Sequence, residues 1–146
     1  MMFSFQNLLK AYYQCRKGKR KTISAAKFEI NFESELLKLE KELISRNYQP
    51  SPSICFAVTD PKLREVWAAD FRDRVIHHLL VIYLEPVWER IFIFHSYACR
   101  RFKGAHKAVR YLKKAIRPDL FFLQTDIQSF FVSIDKDVLF SIVKKR

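Results

Sequence analysis

The sequence predicts an α+β fold, mostly helical, with a short β-hairpin and one central strand, and a sheet left incomplete. Three observations predict it. Apolar residues recur at helical spacing along most of the 146 residues, two short β-prone runs flank a turn at Asp60-Pro61, and an aromatic and β-branched run from Leu120 to Ile127 is apolar on both faces, as in a fully buried strand.

Composition narrows the function. A chain that is 49% hydrophobic and 15% aromatic can fill a core. Its net charge of +12, from 27 Lys and Arg against 15 Asp and Glu, suits a polyanionic partner, with nucleic acid first and an acidic membrane surface second. Cys15, Cys55 and Cys99 form no C-x-x-C pair, which argues against zinc and for reduced thiols in a cytoplasmic protein. No secretory signal opens the chain and no run is long enough to span a membrane, so a soluble intracellular protein is expected. With only 2 glycines, Gly18 and Gly104, there is no glycine-rich phosphate loop.

Phe5, Leu8, Leu9, Tyr12 and Tyr13 predict a helix over residues 4–15 that runs into the basic string Arg16-Lys17-Gly18-Lys19-Arg20-Lys21, either a solvated loop or a contact to phosphates. Phe32, Leu36, Leu37, Leu39, Leu43 and Ile44 predict an amphipathic helix capped near Asn31 or Ser34. Pro50 and Pro52 forbid helix, so Ser53–Val58 and Arg64–Ala68 form a hairpin whose tip presents Lys62 and Arg64. Asp70 can cap a helix with Phe71, Val75, Leu79, Leu80, Tyr83 and Leu84 at helical spacing, broken at Pro86, with a short helix carrying Val87, Trp88 and Ile91 beyond it. Adjacent His77 and His78 point about 100° apart and cannot chelate together, so they read as ordinary helix residues. Ile93–Cys99 is expected to be extended. After Gly104 a helix turns Ala105, Val109, Leu112 and Ile116 inward and Lys107, Arg110, Lys113 and Lys114 outward. A last helix from Asp135 uses Val138, Leu139, Ile142 and Val143.

Two features carry chemistry. Arg100, Arg101, Lys103, Lys107, Arg110, Lys113 and Lys114 form the densest positive surface in the chain, read as a phosphate-contacting face in preference to a solvated one. Asp126 sits at the end of the apolar run, where a buried strand has no cheap place for a bare carboxylate; it must be paired, hydrogen-bonded, metal-bound or past the sheet edge. Phe130 and Phe131 follow in a turn where two rings cannot both be buried easily, and core packing remains open for Phe131.

Three segments together resemble the reverse transcriptases, particularly those of bacterial diversity-generating retroelements and, less closely, of group II introns: Pro61 to Leu80, Ser96 to His106, and Thr125-Asp126 through Leu139. The resemblance implies a right-hand polymerase, with fingers and N-terminal helices over 1–118 and the first strand and helix of a truncated palm over 119–146. It implies template-directed DNA synthesis from an RNA template and a DNA primer, by two-metal nucleotidyl transfer using Mg²⁺ and deoxynucleoside triphosphates. Asp126 would be the catalytic, metal-bridging carboxylate, assisted by the carbonyl of Ile127. Phe131 would abut the sugar and exclude a 2′ hydroxyl, and Lys62 and Arg64 would grip the triphosphate. The Ser96–His106 segment would contact template. Arg72 and Arg74 would be auxiliary phosphate contacts or partners of Asp70 and Asp73. A retroelement accessory protein is a further implied partner; a membrane is not.

The chain departs from the pattern in two places. Phe102 stands where relatives are expected to carry glycine, and the Tyr-x-Asp-Asp motif that supplies the other metal-binding acids is absent, as is the thumb. One aspartate cannot organise two metals, so the chain reads as an N-terminal fragment that does not polymerise alone. The readings from other classes are a non-catalytic nucleic-acid-binding module and a regulatory partner that docks onto a complete polymerase.

Overall fold

The computed structural model describes residues 2–19, 22–60 and 62–145. Arg20 and Lys21 of the basic string, Pro61 of the hairpin turn and Arg146 therefore lie outside the described residues. The fold is mostly helical with one short antiparallel hairpin. It divides into two compact units, Met1–Pro86 and Val87–Arg146.

In the first unit, α1 (Phe5–Arg16), α2 (Ile23–Ile30), α3 (Phe32–Ile44) and the first turns of α4 (Phe71–Ile91) enclose the core. Leu8, Ala11, Tyr12 and Cys15, spaced i, i+3, i+4 and i+7, are buried on one face of α1. Tyr12 stacks on Phe32 with ring centroids 5.0 Å apart and meets the edge of Phe71 at 6.2 Å. From α3 come Leu36 and Leu39, and from α4 Phe71, Val75, Ile76 and Leu79. The short helix α2 was not expected from the sequence. Only Ala25 and Phe28 are buried on it, so tertiary contact rather than a long apolar repeat sustains it.

Asp70 opens α4 as expected, its carboxylate accepting the Arg72 N–H at 3.0 Å. Asp73, buried in the first turn, accepts from the Tyr48 hydroxyl at 2.6 Å and the Ser51 N–H at 2.8 Å. Arg72 bridges to Glu42 and Asp73 and donates to the Gln49 carbonyl, so it ties the segment after α3 to α4. Arg74 donates to Ser24 Oγ at 3.2 Å. Burial, then the Asp73 hydrogen bond, pushes the Tyr48 phenol above its usual range. Strands β1 (Ile54–Val58) and β2 (Arg64–Ala68) pair from Ile54 opposite Ala68 to Val58 opposite Arg64. The expected break at Pro86 does not occur: α4 passes through it. Proline's fixed φ is itself helical, and its missing N–H forfeits one bond of a long ladder.

The second unit contains the end of α4, then α5 (Ala105–Ala115), α6 (Phe130–Ser133) and α7 (Lys136–Lys144). Asp135 caps α7, accepting from the N–H groups of Asp137 and Val138 at 2.9 and 3.0 Å. Three expectations change here. Ile93–Cys99 is a series of turns rather than extended, closed by Ser96 N–H to the Ile93 carbonyl and Gly104 N–H to the Tyr97 carbonyl. The inward face of α5 is open, with Val109 62% exposed and Leu112 and Ile116 exposed as well. Leu120–Ile127 joins no sheet and its apolar side chains are exposed. A strand needs a neighbouring ladder for its N–H and C=O groups, and among the described residues β1 and β2 bond only to each other.

Candidate nucleic-acid interface

The second unit gathers most of the cations that the sequence singled out. From Arg90 to Pro118 there is no Asp or Glu. The adjoining acid, Glu89, is committed to Arg100, whose guanidinium makes bonds of 3.2, 3.2 and 2.9 Å to both carboxylate oxygens. Arg100 also donates to the carbonyls of Ile93 at 2.9 Å, Ser96 at 3.2 Å and Glu89 at 3.3 Å. Its side chain is 8% exposed. Arg100 thus fastens the turns of residues 93–100 to the end of α4, and its donors are turned inward rather than towards a ligand. The Arg100 hydrogen bond is the main cause holding the Glu89 carboxyl below its usual range.

Beyond Arg100 the backbone takes two left-handed steps. Phe102 has φ 57° and Gly104 φ 86° with ψ 173°. The first is a conformation that glycine adopts without strain, at the position where the sequence pattern led us to expect glycine. Phe102 therefore keeps the turn that a glycine would make and adds an exposed ring to it, 90% of its surface open. The Arg101 guanidinium lies 5.8 Å from that ring. Lys103 reaches back to the Phe94 carbonyl and lies over the rings of Phe94 and Tyr97, at 4.6 and 5.4 Å. Desolvation there, more than the neighbouring cations, lowers its pKa.

Gly104 then starts α5, on which Lys107, Arg110, Tyr111 and Lys114 recur at i, i+3, i+4 and i+7 and so share one face. With Lys113, Phe94, Tyr97 and Phe102 they line an open groove of about 800 Å³. His95 braces it, one ring nitrogen 3.4 Å from the Tyr97 hydroxyl and the other 3.4 Å from that of Tyr111. A groove of about 670 Å³ in the first unit has Glu35 and Asp70 beside Lys27 and Arg72, so its charges offset one another. The second unit's groove is lined by cations without a carboxylate. The aromatic half of this site was not predicted, although rings interleaved with Lys and Arg from Phe94 to Lys114 were the available signal.

The remaining predicted residues stand apart from the groove lining. Lys62 and Arg64 are exposed on the hairpin of the first unit. Phe131 lies on α6, exposed, with its ring edge-on to Phe130 at 5.3 Å. Asp126 is exposed, and its Oδ1 accepts the N–H of Ile127 at 3.0 Å. Among the described residues, no three of His, Cys, Asp and Glu gather where they could hold a metal ion. Mg²⁺ requires near-octahedral oxygen ligation. Asp126 with the Ile127 carbonyl falls short of such a site. Among the described residues, no helix is long and apolar enough to cross a membrane.

No protein-family model matches the chain. It is 28% identical over 136 residues to Protein YkfC of Escherichia coli (strain K12), a match covering 88% of this chain and 35% of that protein. It is 29% identical over 75 residues to Nuclear intron maturase 1, mitochondrial, of Arabidopsis thaliana, covering 51% of this chain and 10% of the maturase. It is 25% identical over 114 residues to the group II intron-encoded protein LtrA of Lactococcus lactis subsp. cremoris, covering 76% and 19%. The chain thus spans about a third or less of the length of these relatives. Together the likenesses support a distant link to the reverse-transcriptase-like superfamily and single out no subfamily within it.

Proposed function

We propose that this chain is part of a reverse transcriptase and that nucleic acid lies against the cationic face of its second unit. The observation that carries the reading is the acid-free run from Arg90 to Pro118, folded into a groove lined by Lys107, Arg110, Lys113 and Lys114. The similarity to an intron maturase and to group II intron-encoded proteins supports it. In this reading the enzyme copies an RNA template from a DNA primer with deoxynucleoside triphosphates and Mg²⁺. Lys62 and Arg64 neutralise the triphosphate, Phe131 meets the sugar, and Asp126 with the Ile127 carbonyl contributes to a metal site whose other donors are not among the described residues. The 146 residues alone are expected not to extend a primer.

The groove lined by cations, which needs no metal site, supports a second reading, a non-catalytic nucleic-acid-binding module. RNA filter binding across a salt series, with Mg²⁺ titration by calorimetry, separates the two. Both readings expect RNA affinity that falls steeply with salt. The polymerase reading alone expects weak Mg²⁺ binding that Asp126→Ala abolishes. Loss of Mg²⁺ binding in that variant overturns the module, and no RNA binding at low salt removes both. Mg²⁺-dependent primer extension by the chain itself would overturn the expected inactivity.

A further inference from the structure

We infer that Asp73 positions the hairpin: its carboxylate clasps the chain leading into β1 and so sets the direction in which the hairpin leaves α4. The inference goes beyond the nucleic-acid reading and does not depend on it. Every residue of the two strands is exposed or half-buried. Ile54, at the start of β1, and Trp67, near the end of β2, are 64% and 67% exposed. Packing along the strands gives the hairpin little to lean on, so its direction is fixed where its two legs join the helices. Both legs meet at the first turn of α4. The leg after β2 is only Ala69 and Asp70, and Asp70 caps the helix. The leg before β1 passes over Asp73.

The clasp has two points. Asp73 Oδ1 accepts the Tyr48 hydroxyl at 2.6 Å and Oδ2 accepts the Ser51 N–H at 2.8 Å, so two separate residues of the leg are tied to one side chain. One bond would leave the leg free to swivel, whereas two bonds to a planar carboxylate do not. Arg72 adds an attachment between them, donating to the Gln49 carbonyl at 3.3 Å with its guanidinium 5.2 Å from the Tyr48 ring. Asp73 is 1% exposed, and a carboxylate is costly to bury unless hydrogen bonds of this charge-assisted kind satisfy it. Pro50 and Pro52, each with φ held at about −65°, stiffen the leg on either side of Ser51 and carry its direction towards β1. Lys62 and Arg64 ride on this hairpin, so the clasp decides where those two cations stand.

The test is double electron–electron resonance on the full chain carrying Cys99→Ser and His77→Cys, with nitroxides on the exposed Cys55 of β1 and at position 77 of α4. Cys15 is buried and stays unlabelled. Asp73→Ala should widen the distance distribution at least about twofold, and Tyr48→Phe, which keeps the Ser51 bond, by about 1.5-fold. Leu8→Ala removes core packing from the same unit and none of the leg's hydrogen bonds, so it should lower stability and leave the width unchanged. Circular dichroism checks that each variant is folded; if Asp73→Ala is not, Tyr48→Phe decides alone. A distribution as narrow as the parent's in either folded clasp variant, or equal widening in Leu8→Ala, would overturn the inference. None of these outcomes bears on RNA binding, so the nucleic-acid reading stands or falls separately.

Discussion

Phe102 and Gly104 sit two residues apart, both on left-handed backbone, and substitution should move them in opposite directions. Gly104, at φ 86° and ψ 173°, occupies a region essentially closed to side chains, although nothing lies within 4 Å of where its Cβ would be. Gly104→Ala should therefore destabilise the second unit by about 1–3 kcal/mol through backbone strain alone. At Phe102, glycine removes about 1–2 kcal/mol of strain and adds roughly 0.5–1 kcal/mol of unfolded-state entropy. Phe102→Gly should thus be neutral to slightly stabilising in urea denaturation. Arg100 shows the opposite relation between charge and use. The densest basic stretch contained one guanidinium that belongs to the fold, identifiable only from the carbonyls and carboxylate around it. Because Glu89 titrates below its usual range, the stability that this pair contributes is complete above about pH 4.5. It is lost as pH falls through the lower folded-state value. An acid titration followed by near-UV circular dichroism should show that limb of unfolding, and Glu89→Gln should flatten it.

Among the elements, α4 differs most from expectation and is the easiest to test. A proline in a helix interior costs about 3 kcal/mol relative to alanine, part of which returns through the stiffer unfolded chain. Pro86→Ala should raise the midpoint of thermal unfolding, by about 2 kcal/mol in free energy, if α4 is continuous from Phe71 to Ile91. A broken helix at Pro86 would show no gain. The hairpin was legible because β-prone runs flank a turn of Asp60, Lys62 and Leu63 among the described residues. α5 was legible from Gly104 and its charge stripe, whereas α2 offered too short a repeat to detect. Residues 120–127 were misjudged for a different reason. Apolar character on both faces records what a segment can bury, and pairing requires a neighbour that the described residues do not supply.

At the scale of the molecule, the units differ in how they are held. Every buried residue among those described lies between Leu8 and Leu79, in the first unit. The second unit is fastened by turns, caps and the Arg100 network, with Val109, Leu112, Phe121, Phe122 and Leu123 in water. Amide hydrogen exchange should be slowest in α1, α3 and the first turns of α4, and faster by orders of magnitude in α5 and α7. Equal protection in α5 would mean that its apolar face is covered in solution. The net charge of +12 acts over the whole chain and would steer encounter with a polyanion, whereas under the proposed function the groove would set the binding geometry.

The sequence by itself determined the helical repeats, the hairpin with its charged tip, the caps at Asp70 and Asp135, and the excess of positive charge. These follow from local rules of periodicity, turn chemistry and composition. Tertiary structure decided which charges are spent inside the fold and which face outward. It also placed Phe94, Tyr97, Phe102 and Tyr111, scattered over eighteen positions of chain, around one groove with the cations of α5. Burial and pairing depend on neighbours that are distant in sequence, and no local pattern records who those neighbours are.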